Sequence, residues 1–216
     1  MKKEKSQKVL LSGIAMVVLF ILWTVAISLI DVQPIGPQNS SVGFATMNAA
    51  FHRFTGLHMT LYVITDWLGL VPVCFCVGFT ILGLCQWIKR RKIWNVDWSI
   101  LVLGGFYIAV ICVYLLFEQV VINYRPVLIA GYLEASYPSS TTLLVMCVMP
   151  TTVMQLSGRI KNKRIREITI SVLATFIIFM VVGRLVSGVH WLSDIIGGGL
   201  LSAGLVMLYH WLCNMK

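Results

Sequence analysis

The sequence predicts an all-α polytopic membrane protein, one domain over residues 1–216 with six transmembrane helices and both termini cytoplasmic. Three observations carry that prediction. Of 216 residues, 58% are hydrophobic and only 12% charged, with mean hydropathy +0.88, the balance of a chain dissolved in lipid. Six apolar runs each approach the roughly 20 helical residues that cross a bilayer core, and irregular backbone cannot face lipid. Basic residues, finally, gather on alternate connections.

The first run, 9–30, follows Lys2, Lys3, Lys5 and Lys8. Ala26-Ile27-Ser28 loosely resembles a signal cleavage site. The run is longer than the usual signal core of about 7–15 residues and continues past that site, so an uncleaved anchor is expected. The second run, 67–88, comes after the longest outer connection, whose "GFATMNAAFHRFTGLHMTLY" reads either as a helix lying in the interface or as an ordinary folded loop. Runs three to six are 98–121, 139–156, 168–185 and 194–213. In the last, Gly197-Gly198-Gly199 with Ser202, Ala203 and Gly204 form a small-residue face suited to tight helix packing.

With the N-terminus inside, the inner side receives Lys2, Lys3, Lys5, Lys8, Lys89, Arg90, Arg91, Lys92, Arg159, Lys161, Lys163, Arg164, Arg166 and Lys216. That is 14 of 17 basic residues, and only Arg53, Arg125 and Arg184 fall outside. The net charge of +9 is therefore a topology signal. No nucleic-acid partner is expected, because each cluster is a short loop between spans. The cysteines Cys74, Cys76, Cys85, Cys112, Cys147 and Cys213 all lie in apolar runs without zinc-like spacing, and read as small buried apolar residues. No disulfide, metal or cofactor is expected.

Three stretches place polar residues at the outer boundary: "EQVVINYRP" (118–126), "YPSSTT" (137–142) and "GRLVSGVHWLSD" (183–194). His190 and Asp194 are spaced i,i+4, so on a helix they share a face. Asp194 can then hold one imidazole nitrogen and leave the other as the lone pair a nucleophile needs. A satisfied His–Asp pair at a span end reads the same residues without chemistry. Ser187-Gly188 can break the helix and turn Arg184 toward His190. Arg125 before Pro126 marks a helix end carrying a fixed guanidinium fork. Two outer arginines, a His–Asp pair and a Ser/Thr-rich helix start share one purpose, phosphate binding. "YPSSTT" would be the anion cradle, with Ser139 and Ser140 giving backbone N–H groups at a positive helix end. Simple capping is the alternative.

The order Arg-Pro, then Pro-Ser-x-x, then Arg-x5-His-x3-Asp resembles the type 2 phosphatidic acid phosphatase superfamily, six-span enzymes related to vanadium haloperoxidases. That resemblance implies His190 as a nucleophile forming a phosphohistidine and Asp194 as its orienter. Arg125, Arg184 and the backbone of Ser139 and Ser140 would hold the phosphoryl oxygens. A site at membrane level, opening between spans, implies a phosphorylated lipid as substrate and the bilayer as partner, and the charge asymmetry predicts that the site faces outward, in a cell membrane of cytoplasmic type. The chain departs from the pattern at Glu118, where the family has lysine, at Thr141, where it has the general-acid histidine, and at Gly183, where it usually has serine.

Three readings follow. The first is a phosphatase acting on a lipid phosphate or diphosphate, such as a polyprenyl diphosphate, whose better leaving group needs less acid. Glu118, protonated at the apolar boundary, could instead donate the proton. The second is a catalytically impaired homologue that binds, senses or transports a phosphorylated lipid. In the third, Glu118 pairs structurally with Arg125 and function lies elsewhere. An oriented nucleophile favours the first, because binding alone has no use for one.

Overall fold

The computed structural model describes residues 2–215, so Lys216, counted above among the inner charges, lies outside the described residues. Eight α-helices follow in order: α1 (Lys2–Leu29), α2 (Ala45–Thr55), α3 (Met59–Leu68), α4 (Leu70–Arg90), α5 (Trp98–Gln119), α6 (Ser140–Arg159), α7 (Lys163–Val186) and α8 (Leu192–Cys213). Six helical stretches are long and apolar enough to cross a membrane, with α3 and α4 joined as one. The all-α, six-span part of the fold class read from the sequence holds.

The second span starts earlier than expected, at Met59 rather than residue 67. Gly69 between α3 and α4 keeps right-handed helical angles (φ −59°, ψ −17°), so the two pieces run on through it. The outer connection before it contains a helix, α2, whose Asn48 is fully buried against the start of α8. This polar anchoring makes it part of the packed domain.

The helix at the centre is α6. Its hydropathy is the lowest of the six spans and its buried share the highest, and one fact explains the other. A helix surrounded by protein can carry polar groups provided they are bonded. Thr151 Oγ1 donates to the Cys147 carbonyl at 2.9 Å, and Gln155 Nε2 donates to the Ser99 carbonyl at 3.0 Å. The outer spans instead expose Leu, Ile, Val and Phe along their lipid faces. Cys74, Cys85 and Cys112 lie on such faces and only Cys147 is buried, with all six free. Burial of every cysteine was thus wrong: an apolar run in lipid need not point inward.

The small-residue face of α8 does pack tightly. A Cβ on Gly204 would come within 2.8 Å of Val17 Cγ2 on α1, and one on Gly197 within 2.4 Å of the Tyr137 ring. Without a hydrophobic force between helices in lipid, such close approach is what holds spans together.

Candidate active site

Two loops at one end of the helix bundle build the site. The first joins α5 to α6. Arg125 is not at the end of a helix, as the sequence suggested, because α5 ends at Gln119. Residues 123–136 instead double back as a short hairpin. The Arg125 N–H donates to the Glu134 carbonyl at 3.0 Å and the Ser136 N–H to the Asn123 carbonyl at 2.9 Å. At its tip Ala130 and Gly131 both have positive φ (49° and 84°), the pair that a tight two-residue turn requires. The hairpin brings Arg125 and Ser136, eleven positions apart, to the same histidine.

The second loop joins α7 to α8. The helix does break after Val186, and Gly188 has φ +72°. A Cβ there would also lie 2.1 Å from the Gly56 carbonyl oxygen, so only glycine fits. The α2–α3 corner grips this loop: the His58 N–H donates to the Ser187 carbonyl, and His52 Nε2 lies 3.0 Å from the Gly188 carbonyl. His190 therefore precedes α8, and the helical i,i+4 relation to Asp194 does not exist.

Nor does Asp194 hold the imidazole. No hydrogen bond or ion pair joins the two among the described residues. Asp194 Oδ2 accepts from the Trp191 N–H at 3.0 Å and from Ser136 Oγ at 2.5 Å, and Asn123 Nδ2 donates to Oδ1 at 3.3 Å. Ser136 Oγ in turn lies 3.0 Å from His190 Nδ1, while Arg125 Nη1 lies 3.1 Å from His190 Nε2. A guanidinium only donates, so Nε2 must be the acceptor and carry the lone pair. His190, Asp194, Ser136 and Asn123 are all buried. Burial drives the His190 imidazole well below the ordinary histidine value, and the charges of Arg125 and Arg184 push the same way.

The arginines take different places. Arg125 Nε sits 3.0 Å from Glu134 Oε2, an ion pair whose N–H is not aimed at the carboxylate and stays without an acceptor. Glu118 is exposed and makes no ion pair with Arg125, which removes the structural pairing considered for it. Arg184 stays on α7 and reaches Asp66 Oδ1 at 3.1 Å and Thr141 Oγ1 at 2.5 Å, with the Tyr62 ring beneath it at 4.8 Å. Its buried Nε also lacks an acceptor. Two orphaned guanidinium donors beside one histidine call for an anion.

"YPSSTT" caps the start of α6. Ser139 is the N-cap, its side chain accepting weakly from the Thr142 N–H at 3.4 Å. The Ser139 N–H, expected in the cradle, instead donates to the Asp194 carbonyl at 3.2 Å. Ser140 and Thr141 are the first helical residues, whose N–H groups have no partner within a helix. A pocket bordered by Glu118, Ser136, Pro138 and Ser140 leads to His190. Tyr114, Ser140 and Leu143 also border an adjoining apolar groove with Leu70, Val110, Ile111 and Leu144.

Sequence reasoning found His190, Asp194, Arg125, Arg184 and Thr141, all of which meet here. It missed Ser136, Asn123, Glu134, Asp66 and Tyr62. Asp66 alone gave a usable signal, as an acid at the edge of an apolar span.

Residues 119–216 match the model of the PAP2 superfamily. In fold the chain is similar to a crystal structure described as the first transmembrane PAP2 type phosphatidylglycerolphosphate phosphatase, from Bacillus subtilis. The TM-score is 0.61 at 15% identity, covering 92% of this chain and 94% of that one. No curated protein matches the chain in sequence.

Proposed function

We propose, for a chain with the PAP2 pattern in its second half and the fold of a PAP2-type membrane phosphatase, that it hydrolyses lipid phosphates or diphosphates through a phosphohistidine. The observation that carries this reading is His190 Nε2, an unprotonated buried nitrogen 3.1 Å from Arg125 Nη1. Lowering of the His190 value keeps that lone pair available at neutral pH.

In this reading the phosphoryl oxygens take the free N–H donors of Arg125 and Arg184 and the first backbone N–H groups of α6 at Ser140 and Thr141, with Ser139 holding the helix start. Nε2 attacks phosphorus as the bond to the leaving oxygen breaks. Water then attacks the phosphohistidine, the P–N bond breaks, and the lone pair returns to Nε2. The sum is one water and one P–O bond consumed, an ester bond in a monophosphate and an anhydride bond in a diphosphate. One phosphate is released with one alcohol or lipid monophosphate, whose leaving oxygen takes its proton from solvent water. A lipid suits the site because the apolar groove opens beside it. The 14-to-3 charge asymmetry supports cytoplasmic termini and an outward-facing site in a cell membrane of cytoplasmic type.

The test is phosphate release by purified protein from a panel of lipid monophosphates and diphosphates, with His190→Ala as control. Release that depends on His190 supports the proposal. Lipid binding without release moves the assignment to a protein that senses or carries such lipids. One feature favours that alternative: both arginines already pair with carboxylates, Glu134 and Asp66, which offset part of the positive charge offered to a phosphate.

A further inference from the structure

We infer that Ser136 is a positioning residue, and that Asp194 acts on His190 only through the Ser136 hydroxyl. This rests on the phosphohistidine reading for its catalytic part and on geometry for the rest.

The donors and acceptors leave one arrangement. Arg125 Nη1 donates to Nε2, so the proton of the neutral imidazole sits on Nδ1. Nδ1–H then donates to Ser136 Oγ at 3.0 Å, and the Ser136 O–H donates to Asp194 Oδ2 at 2.5 Å. Every member has its direction fixed by its neighbour. Ser136 has no room to turn away, since it is 2% exposed and its own N–H is tied to the Asn123 carbonyl. Asp194 is held equally firmly by the Trp191 N–H and Asn123. The carboxylate therefore cannot swing to the ring without breaking its helix cap.

The consequence for the reaction is specific. When Nε2 takes the phosphoryl group, the ring becomes cationic with Nδ1 still protonated. The Asp194 charge reaches it through one polarised hydroxyl. No proton leaves Nδ1. Loss of the hydroxyl leaves the ring with the Arg125 contact at one end only, so it can rotate off that contact and place its proton on either nitrogen, which removes the lone pair from Nε2 part of the time.

The experiment compares wild type with Ser136→Ala, Ser136→Thr, Asp194→Asn and the Ser136→Ala/Asp194→Asn double variant, in detergent. One readout is phosphate release. The other is the ¹⁵N spectrum of protein labelled at histidine, with His190 assigned by its loss in His190→Ala. Expected are a fall in kcat on the order of 10²-fold in Ser136→Ala with KM little changed, and recovery in Ser136→Thr. No further loss should appear in the double variant, because both changes cut one chain. The His190 signal should change from a pure Nδ1–H tautomer to a mixture. Should Ser136→Ala fail to fold, the nearly isosteric Ser136→Cys replaces it. Turnover within twofold of wild type in Ser136→Ala, or additive losses in the double variant, overturns the inference while leaving the phosphatase standing. Absence of any wild-type phosphate release defeats the phosphatase reading instead. The spectrum then decides alone: an unchanged tautomer in Ser136→Ala overturns the relay, and a mixture supports it.

Discussion

Arg125 Nη1 caps His190 Nε2 at 3.1 Å, so a permanent cation rests against the nitrogen that would attack phosphorus. This contact suppresses protonation of the ring and keeps the nucleophile ready. It also has to yield when substrate enters. The guanidinium can then turn from nitrogen to phosphoryl oxygen, a stronger charge-assisted partner.

A pH dependence follows. His190 is held well below its ordinary value by burial first and by Arg125 and Arg184 next. The neutral form is favoured, so activity should persist as pH falls through 6.5, the ordinary histidine value. Removing one cation, as in Arg125→Gln, lets the imidazolium form at higher pH. The acidic limb of kcat/KM should therefore move upward relative to wild type on the same substrate. A limb that stays in place or moves down would show that Arg125 does not act on His190.

His190→Ala should abolish hydrolysis, whereas Asp194→Asn should leave a small residue of it. In the proposed mechanism the histidine forms the covalent bond, while the aspartate only orients and stabilises through Ser136. Acid-quench trapping of phosphoenzyme checks this. A phosphoenzyme that persists in His190→Ala would mean the nucleophile is another residue.

Thr141 stands where the resembling family has its proton donor, and its hydroxyl is bonded to Arg184. General-acid help is typically worth about 10²–10⁴-fold. A lipid diphosphate, whose leaving group is itself a phosphate, should thus be cleaved faster than phosphatidic acid by a factor of that order. Initial rates on matched chains measure it, and equal rates would refute the assignment of a missing acid.

Gly183 faces Thr65 across the α3–α7 contact, where a Cβ would lie 2.8 Å from Thr65 Cγ2. Gly183→Ala should overpack the contact and destabilise the protein by about 1–3 kcal/mol, read as a lower Tm in detergent. Thr65→Ser, which removes the obstructing methyl and keeps the hydroxyl, should recover most of the loss in the double variant. Additive losses would show that the clash is relieved elsewhere. The contact matters for the site because α3 also carries Tyr62 and Asp66, which receive Arg184.

Cysteine labelling tests the orientation. In a cysteine-free background on intact cells, an impermeant thiol reagent should modify a cysteine placed at Glu134 and spare one at Lys163. The opposite pattern would invert the topology.

What the sequence determined by itself is what short-range chemistry controls. Length and apolarity of a run settle whether it spans, because lipid leaves backbone no alternative to a helix. The identities and order of Arg125, Ser139, Ser140, Arg184, His190 and Asp194 marked a candidate phosphate site. Glycine at 188 marked a helix break because of the positive φ it accepts. What only the tertiary structure decided is which atoms meet. The spacing of His190 and Asp194 implied a direct bond on one helix face, yet the break that Gly188 makes puts His190 outside the helix and opens a gap that Ser136 fills. Ser136 comes from a hairpin 54 positions away and carries no local mark of its role. Arg184 was expected to turn toward the histidine and instead stays on α7, bonded to Asp66 and Thr141 while its charge still acts on His190, because α3 packs on Gly183. Sequence spacing ranks partners within one element, whereas partners across elements are chosen by packing, as Ser136 is for His190 and Asp66 for Arg184.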